Sequence, residues 1–222
     1  MMNKYVVSWS GGKDSYVALQ KAHEHYGLPT ALLTMMIEDT SRSRSHGLKL
    51  DILQAQSQAL GVPLMRFATS WADYEKVFLS ALKEAQVLGV DFGVFGDIKI
   101  AHDKEWQAHR SFADEVCAQA GLKALEPLWD LSESELERDF LGAGIEAIII
   151  AVKDDKLGPT YLGRSLDKEV FNECRRQGVH PLGERGEYHT LVINAPLFQQ
   201  RLNIKTKERV YRDGYWFLDV EL

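Results

Sequence analysis

The segment 8–15, with the sequence SWSGGKDS, concentrates groups that bind anions. It follows a short apolar run, so its glycines stand where a strand ends and a helix begins. Free backbone N–H groups and the positive end of the helix dipole meet at such a turn. Glycine also lets the backbone approach phosphate oxygens closely. The segment therefore predicts a phosphate-binding loop formed by Ser10, Gly11, Gly12, Lys13, Asp14 and Ser15.

Lys13 and Asp14 are the charged residues of this loop. The lysine brings a positive charge that would stabilise a leaving phosphate group, so we expect it to be catalytic. Asp14 is a second catalytic candidate, and we expect it to be either a helix cap or a magnesium ligand. The spacing of the Walker phosphate loop is absent. A plain tight turn with a solvated lysine is the alternative interpretation.

A second polar segment, 183–190 with the sequence GERGEYHT, precedes the apolar run 191–193. Glu184 and Glu187 would accept hydrogen bonds from an ammonium group, and Tyr188 would add cation–π attraction. With Thr190 these residues form a candidate substrate-binding loop. A solvated turn, in which Arg185 pairs with a neighbouring acid, explains the same composition without a function.

Two further groups of polar residues follow the fourth apolar run. Gly96 and Asp97 stand at the carboxyl end of the strand that this run predicts, where open α/β sheets bind ligands. Asp97 is the third catalytic candidate, as a metal or substrate ligand, and a helix cap or a turn explains it equally well. His102 lies one helical turn before Trp106, which lies one turn before His109, and we assign the histidines no metal role.

Apolar runs of strand length alternate with helical patterns along the first half of the chain. The runs begin near residues 5, 31, 64 and 92, with apolar residues at helical spacing between them. This alternation predicts an α/β fold, a doubly wound parallel sheet over residues 1–125. Residues 126–222 predict a smaller α/β domain. It has a helix capped by Ser132 and Glu135, and a C-terminal hairpin turning at Asp213 and Gly214.

The composition is that of a water-soluble protein. The chain has 222 residues, 45% of them hydrophobic, with 26 Lys plus Arg against 32 Asp plus Glu. This acidic balance argues against nucleic acid as the main partner. No apolar stretch reaches the roughly 18 residues of a membrane span. The two cysteines, Cys117 and Cys174, form no CxxC pair, favour a reducing cytoplasm and are expected to be buried rather than nucleophilic.

The segment SGGKDS resembles the SGGxDS signature of the PP-loop family, the ATP pyrophosphatases of the adenine nucleotide α-hydrolase superfamily. The resemblance implies a Rossmann-like domain that binds ATP and Mg²⁺. It also implies that a substrate nucleophile attacks the α-phosphorus of ATP while the loop holds the departing pyrophosphate. Such an enzyme activates a carboxylate by adenylating it, and it forms AMP.

A broader resemblance, to the diphthine-ammonia ligase family, covers nearly the whole chain. Besides Lys13 and His46, the segments that carry it are QAQSQALGVPL at 54–64, FGDI at 95–98, HRSFADEVC at 109–117, PLW at 127–129, LGR at 162–164 and GERGEYHTLVINAPLF at 183–198. It implies ATP-driven amidation, by ammonium, of the diphthine carboxylate on translation elongation factor 2. The substrate-binding residues that follow are His46, Gly96, Asp97, Arg164, Glu184, Glu187, Tyr188 and Thr190.

Two positions depart from the GEGGEYET loop that is usual in this family. Arg185 replaces a glycine and His189 replaces an acid, so the loop is less negative. For the cationic trimethylammonium group of diphthine this change goes the wrong way, and a different carboxylate acceptor stays open. A PP-loop enzyme of tRNA modification, a non-catalytic ATP-binding sensor and assembly into a homo-oligomer stay open as well.

Overall fold

The computed structural model describes residues 3–38, 40–99 and 104–222, and the side chains of all of these except 104–111. His102 therefore lies outside the described residues, as do the side chains of Trp106 and His109. Our expectation for these three residues stays a prediction.

In the part of the chain that the structure describes, five parallel strands form the first sheet and four helices cover its faces. The strand order is β3-β2-β1-β4-β5, so the later strands lie on the opposite side of β1 from β2 and β3. This arrangement confirms the predicted doubly wound α/β fold. The strands are β1 (Tyr5–Ser8), β2 (Ala31–Ile37), β3 (Leu64–Thr69), β4 (Phe92–Val94) and β5 (Lys123–Leu125). The helices are α1 (Lys13–Tyr26), α2 (Leu50–Leu60), α3 (Tyr74–Val87) and α4 (Lys104–Gln119).

The apolar runs of β1 and β2 are buried on both sides because helices cover both faces of the sheet. Helices α1 and α2 end at Gly27 and Gly61, whose positive φ angles of 75° and 68° suit glycine. The strand order reverses between β1 and β4. A crevice opens at the carboxyl ends of these two strands, where the loop 8–15 and Asp97 lie.

A four-stranded antiparallel sheet, in the order β7-β6-β9-β8, forms the second part of the chain. Its elements are α5 (Glu133–Gly142), β6 (Glu146–Lys153), α6 (Lys168–Arg176), β7 (Tyr188–Asn194), β8 (Lys205–Arg212) and β9 (Tyr215–Glu221). The predicted hairpin turn is confirmed, with Asp213 at φ 51° and Gly214 at φ 82°. The capping box of Ser132 and Glu135 opens α5 as predicted.

Strand β7 of the second sheet packs against α1 of the first part. The N–H of Val192 donates to the carbonyl of Gly11 at 3.0 Å. The hydroxyl of Tyr16 accepts from the N–H of Leu197 at 3.1 Å. Buried apolar residues from both parts form one continuous cluster. The boundary at residues 125 and 126 stays a prediction.

Among the described residues, no helix has the length and apolar character that crossing a bilayer requires.

Candidate active site

Two glycines shape the loop between β1 and α1. Gly11 has φ +81°, and a Cβ at this position would lie 2.7 Å from Oε1 of Gln56. A Cβ at Gly12 would lie 2.3 Å from Cε1 of His46. The loop therefore packs closely on two sides, and the left-handed conformation of Gly11 adds a second reason for glycine there.

The serines and Asp14 lie at the start of α1. Oγ of Ser10 accepts from the N–H of Gly12 at 3.2 Å and lies 3.1 Å from Oγ of Ser15. Gly12 is the N-cap of the helix and makes no side-chain cap bond. Asp14 stands in the first turn, so it is not the helix cap that was one of its two expected roles.

Gln56 of α2 ties the loop to both sheets from a fully buried position. Its Nε2 donates to the carbonyl of Gly11 at 2.9 Å and to that of Val192 at 2.8 Å. Its Oε1 accepts from Nε1 of Trp9 at 3.0 Å. This amide satisfies three buried polar groups and holds the loop against β7.

The ammonium group of Lys13 lies between two carboxylates and two aromatic rings. Nζ is 2.7 and 2.8 Å from the two carboxylate oxygens of Asp14 and 3.4 Å from Oε1 of Glu184. The ring centroids of Phe140 and Tyr188 lie 5.2 and 5.8 Å from it, within the range of cation–π attraction. Lys13 is 3% exposed, so its charge is paired inside the protein.

Burial and charge act in opposite directions on this cluster. Burial lowers the pKa of Lys13, but the nearby charges of Asp14 and Glu184 raise it more, so the lysine stays protonated. Burial raises the pKa of Glu184 to about 8, although Lys13 pulls it down. Without the lysine, Glu184 would therefore require another cation or a proton.

His46, from the loop after β2, stacks on His189 of β7 with ring centroids 4.6 Å apart. Nδ1 of His46 lies 3.0 Å from the carbonyl of Thr190, which can only accept, so this nitrogen carries the proton. Burial lowers the pKa of His46 to about 4 and that of His189 to about 3. Both imidazoles are therefore neutral near pH 7.

A cavity of about 410 Å³ opens beside this cluster. Its described lining joins the phosphate loop, the ends of β1 and β4, and the polar loop before β7. The lining residues that the sequence analysis proposed are Ser10, Lys13, Asp14, Ser15, His46, Gly96, Asp97, Glu184, Tyr188 and Thr190. Two segments far apart in the sequence thus meet at one site.

Arg164 and Glu187 were expected to bind substrate, but neither belongs to the described lining of the cavity. The guanidinium of Arg164 forms two hydrogen bonds to Glu173, at 2.6 and 3.0 Å. The carboxylate of Glu187 accepts from the N–H groups of His180 and Arg185, at 3.1 and 2.8 Å. These contacts of their polar groups favour structural roles, and substrate binding by Arg164 and Glu187 stays a prediction.

Several residues of this site were not predicted from the sequence. Gln56 and Phe140 occupy ordinary helix positions, and their roles follow from contacts with distant segments. Arg44, Trp71 and Tyr74 line the cavity near β3. The guanidinium of Arg44 lies 4.7 Å from the ring centroid of Trp71. A tryptophan that is 73% exposed would have been a usable signal, but the sequence does not reveal exposure.

Burial raises the pKa of the Cys117 thiol to about 12 and that of Cys174 to about 11. Both thiols are buried and protonated near neutral pH, which agrees with the expected structural role. Across the described residues, no group of three or more His, Cys, Asp or Glu side chains is arranged to hold a metal ion.

Comparison with known proteins identifies similar chains. Diphthine-ammonia ligase from Schizosaccharomyces pombe is 36% identical over 104 residues, covering 46% of this chain and 17% of that protein. The enzyme of the same name from Rattus norvegicus is 33% identical over 111 residues, covering 48% and 42%. That from Saccharomyces cerevisiae is 26% identical over 238 aligned positions, covering 88% and 33%. The chain spans less than half the length of each of these relatives.

Two family models match consecutive parts of the chain. The diphthamide synthase N-terminal domain matches residues 3–124, and the diphthamide synthase C-terminal domain matches residues 132–221. The first of these matches alone extends over more than half of the 222 residues. The chain therefore belongs to the diphthamide synthase family.

Proposed function

We propose that the protein is an ATP-dependent ligase that adenylates a carboxylate acceptor and then amidates it with ammonium. The observation that carries this proposal is the contact between Lys13 of the phosphate loop and Glu184 of the loop before β7, at 3.4 Å. It brings a group suited to phosphates next to a group suited to ammonium, inside one cavity. The names of the relatives support the same reaction class.

The phosphates of ATP would lie on the loop between β1 and α1. The start of α1 offers the positive end of its dipole, and Ser10 and Ser15 line the cavity beside it. Lys13 would neutralise the charge that builds on pyrophosphate as it leaves. The acceptor would enter from the side of Asp97 and Glu184.

The reaction that we propose has two steps. An oxygen of the acceptor carboxylate attacks the α-phosphorus, the bond to the β-phosphate oxygen breaks, and pyrophosphate leaves. The nitrogen of ammonia then attacks the acyl carbon, and AMP leaves with the electrons of the C–O bond. From ammonium to amide, two protons are released. Glu184, with its pKa raised to about 8 by burial, is suited to accept the first of them.

We propose that magnesium enters as part of the MgATP substrate rather than as a resident cofactor. Both oxygens of Asp14, the sequence-based candidate for a metal ligand, bind Nζ of Lys13. Magnesium is commonly bound by one or two carboxylates together with substrate phosphates and water. A resident site built from protein ligands alone does not fit this arrangement.

The acceptor that we propose is the carboxylate of diphthine on translation elongation factor 2. The cavity wall carries Asp97 together with the aromatic rings of Trp71 and Tyr74, which suits a quaternary ammonium group. The two departures from the family loop, Arg185 and His189, do little to weaken the match between the cavity and diphthine. Arg185 is exposed and outside the described lining, and burial keeps His189 uncharged near pH 7.

A radiochemical assay tests the proposal. The full chain is incubated with ATP labelled at the α-phosphate, magnesium, ammonium and elongation factor 2 bearing diphthine. We expect AMP to form only when acceptor and ammonium are both present, with the acceptor gaining an amide, whereas pyrophosphate release requires the acceptor but not ammonium. Formation of ADP, AMP formation driven by tRNA, or bound ATP that is never cleaved would contradict the proposal.

A further inference from the structure

The ammonium group of Lys13 has no hydrogen-bond donor left for a nucleotide. A lysine ammonium has three N–H donors. In this structure its nitrogen has three oxygen neighbours, two from Asp14 and one from Glu184. To bind a phosphate of ATP, Lys13 must therefore release at least one carboxylate.

The position that the lysine nitrogen occupies has the features of a site for a small cationic amine. Carboxylates of Asp14 and Glu184 accept its protons, and the rings of Phe140 and Tyr188 face it within 6 Å. The side chain of Glu184 is 10% exposed, so this charge is largely desolvated. Asp14, Glu184 and Tyr188 line the cavity, which opens this position to incoming molecules.

We propose that Asp14, Glu184, Phe140 and Tyr188 form the ammonium subsite of the enzyme, and that Lys13 occupies it until MgATP draws the lysine onto its phosphates. This inference rests on the proposed function and assigns the place and order of ammonium binding. Nucleotide binds first, because its phosphates remove the lysine that fills the subsite.

The physical basis of the order is the charge that the lysine leaves behind. Two partly buried carboxylates without a cation are strongly disfavoured, so departure of Lys13 creates a demand for positive charge. Ammonium meets it with four N–H donors and a size close to that of the lysine head group. A trimethylammonium group does not fit, because its methyl groups keep the nitrogen from approaching oxygens at 2.7 Å.

ATP and ammonium should therefore assist each other's binding. ATP needs Lys13 to leave the subsite, and ammonium fills the subsite that Lys13 has left. By linkage, each of these two ligands raises the affinity for the other by the same factor. A proton taken up by Glu184 is the competing way to restore neutrality. It would weaken the coupling below the pKa of that carboxyl.

Calorimetry with a non-cleavable nucleotide tests this coupling without the acceptor. The α,β-methylene analogue of ATP, with magnesium, is titrated into the full chain at pH 9 in sodium, potassium or ammonium chloride of equal ionic strength. We expect binding in ammonium to be tighter than in sodium by roughly 5- to 150-fold, the usual range of such coupling. Potassium should give much less of this gain, since it donates no hydrogen bonds.

Matched variants separate the subsite from general charge effects. Glu184→Gln should abolish the difference between ammonium and sodium. Glu169→Gln, which removes the same charge from the exposed first turn of α6, should keep it. Equal affinity in sodium and ammonium, an equal gain with potassium, or coupling that survives Glu184→Gln would overturn the inference. Failure of the analogue to bind in any salt would overturn the proposed function as well.

Discussion

His46 joins the phosphate loop to the second sheet through its contact with His189. The two rings stack 4.6 Å apart, and Nδ1 of His46 donates to the carbonyl of Thr190 at 3.0 Å. On its other side, His46 lies so close to Gly12 that a Cβ there would be 2.3 Å from Cε1. One neutral imidazole therefore fixes the distance between the loop and β7.

This pair makes the stability of the protein sensitive to acid. Burial lowers the pKa of His46 to about 4 and that of His189 to about 3, against 6.5 for an ordinary histidine. Below pH 6.5 the unfolded chain binds more protons at these positions than the folded chain does. The free energy of unfolding should therefore fall by roughly 1–2 kcal/mol per histidine between pH 6.5 and 5. Urea unfolding across this range measures it.

His189→Phe is the control for this pH dependence. The phenyl ring can still stack between His46 and Tyr215, whose centroids lie 4.6 and 6.3 Å from that of His189, but it cannot titrate. The loss of stability between pH 6.5 and 5 should shrink by about half. A wild-type unfolding free energy that stays constant over this range would contradict the explanation.

Gly12→Ala should disturb both folding and nucleotide binding. The new methyl group would lie 2.3 Å from Cε1 of His46 and 3.0 Å from the carbonyl of Thr190, so the imidazole or β7 must move. We expect a loss of about 1–3 kcal/mol, typical of overpacking, and weaker binding of the ATP analogue. Gly142→Ala, in α5, meets nothing within 4 Å and is the matched control. Equal effects of the two substitutions would refute the clash.

The fold and the phosphate loop could be predicted because their signals are local. Buried parallel strands have continuous apolar runs, and the runs of β1 and β2 stand out directly in the sequence. The residues of the phosphate loop are consecutive, so one segment contains most of that chemistry. That this loop and the polar loop before β7 belong to one site was implied by the family resemblance alone, because neither segment by itself indicates contact with the other.

The separate roles of Glu184 and Glu187 could not be predicted. Both belong to one polar loop, but Gly183 and Gly186 turn it with φ angles of 75° and 74°. The backbone then directs Glu184 into the cavity, while the carboxylate of Glu187 binds backbone N–H groups at 3% exposure. The amino-acid composition of the loop does not show which way each carboxylate points, because that direction depends on the conformation of the turn. Gln56 was missed for a similar reason, because its partners are distant in sequence.

Gln56→Leu tests the importance of the buried amide. The substitution keeps the size of the side chain but leaves the indole N–H of Trp9 and the carbonyl of Val192 without their partner, whereas the carbonyl of Gly11 keeps the N–H of Val192. Each buried group left unsatisfied costs about 1–3 kcal/mol, so we expect a total loss of roughly 2–5 kcal/mol. Thermal and urea unfolding measure it. Gln54→Leu, at an exposed position of the same helix, should change stability little.

Arg164→Ala separates a structural role from substrate binding. Because Arg164 binds Glu173 and stacks on Tyr161, with 4.9 Å to the ring centroid, the variant should lower stability by about 1 kcal/mol. The KM values for ATP, ammonium and the acceptor should stay unchanged, since Arg164 does not belong to the described cavity lining. A selective rise in the KM for the acceptor would support the sequence-based assignment instead.

Lys13→Ala should abolish AMP formation and also destabilise the protein. Loss of the lysine removes the charge that stabilises pyrophosphate, and it leaves Asp14 and Glu184 without their cation. Removing one partner of a buried ion pair costs about 3–5 kcal/mol. Burial raises the pKa of Glu184 to about 8, and removal of Lys13 raises it further. A protonated Glu184 needs no cation, so Lys13→Ala should lower the free energy of unfolding more at pH 9 than at pH 6.

The double variant Lys13→Ala with Glu184→Gln distinguishes stability from catalysis. Glutamine removes the uncompensated charge, so the double variant should recover much of the lost unfolding free energy, and the two substitutions should not be additive. Its AMP formation should remain absent, because the phosphates still lack their cation. Urea unfolding and pyrophosphate release measure the two effects separately. Additive destabilisation would mean that Lys13 and Glu184 do not interact, and turnover without Lys13 would exclude the phosphate-loop mechanism.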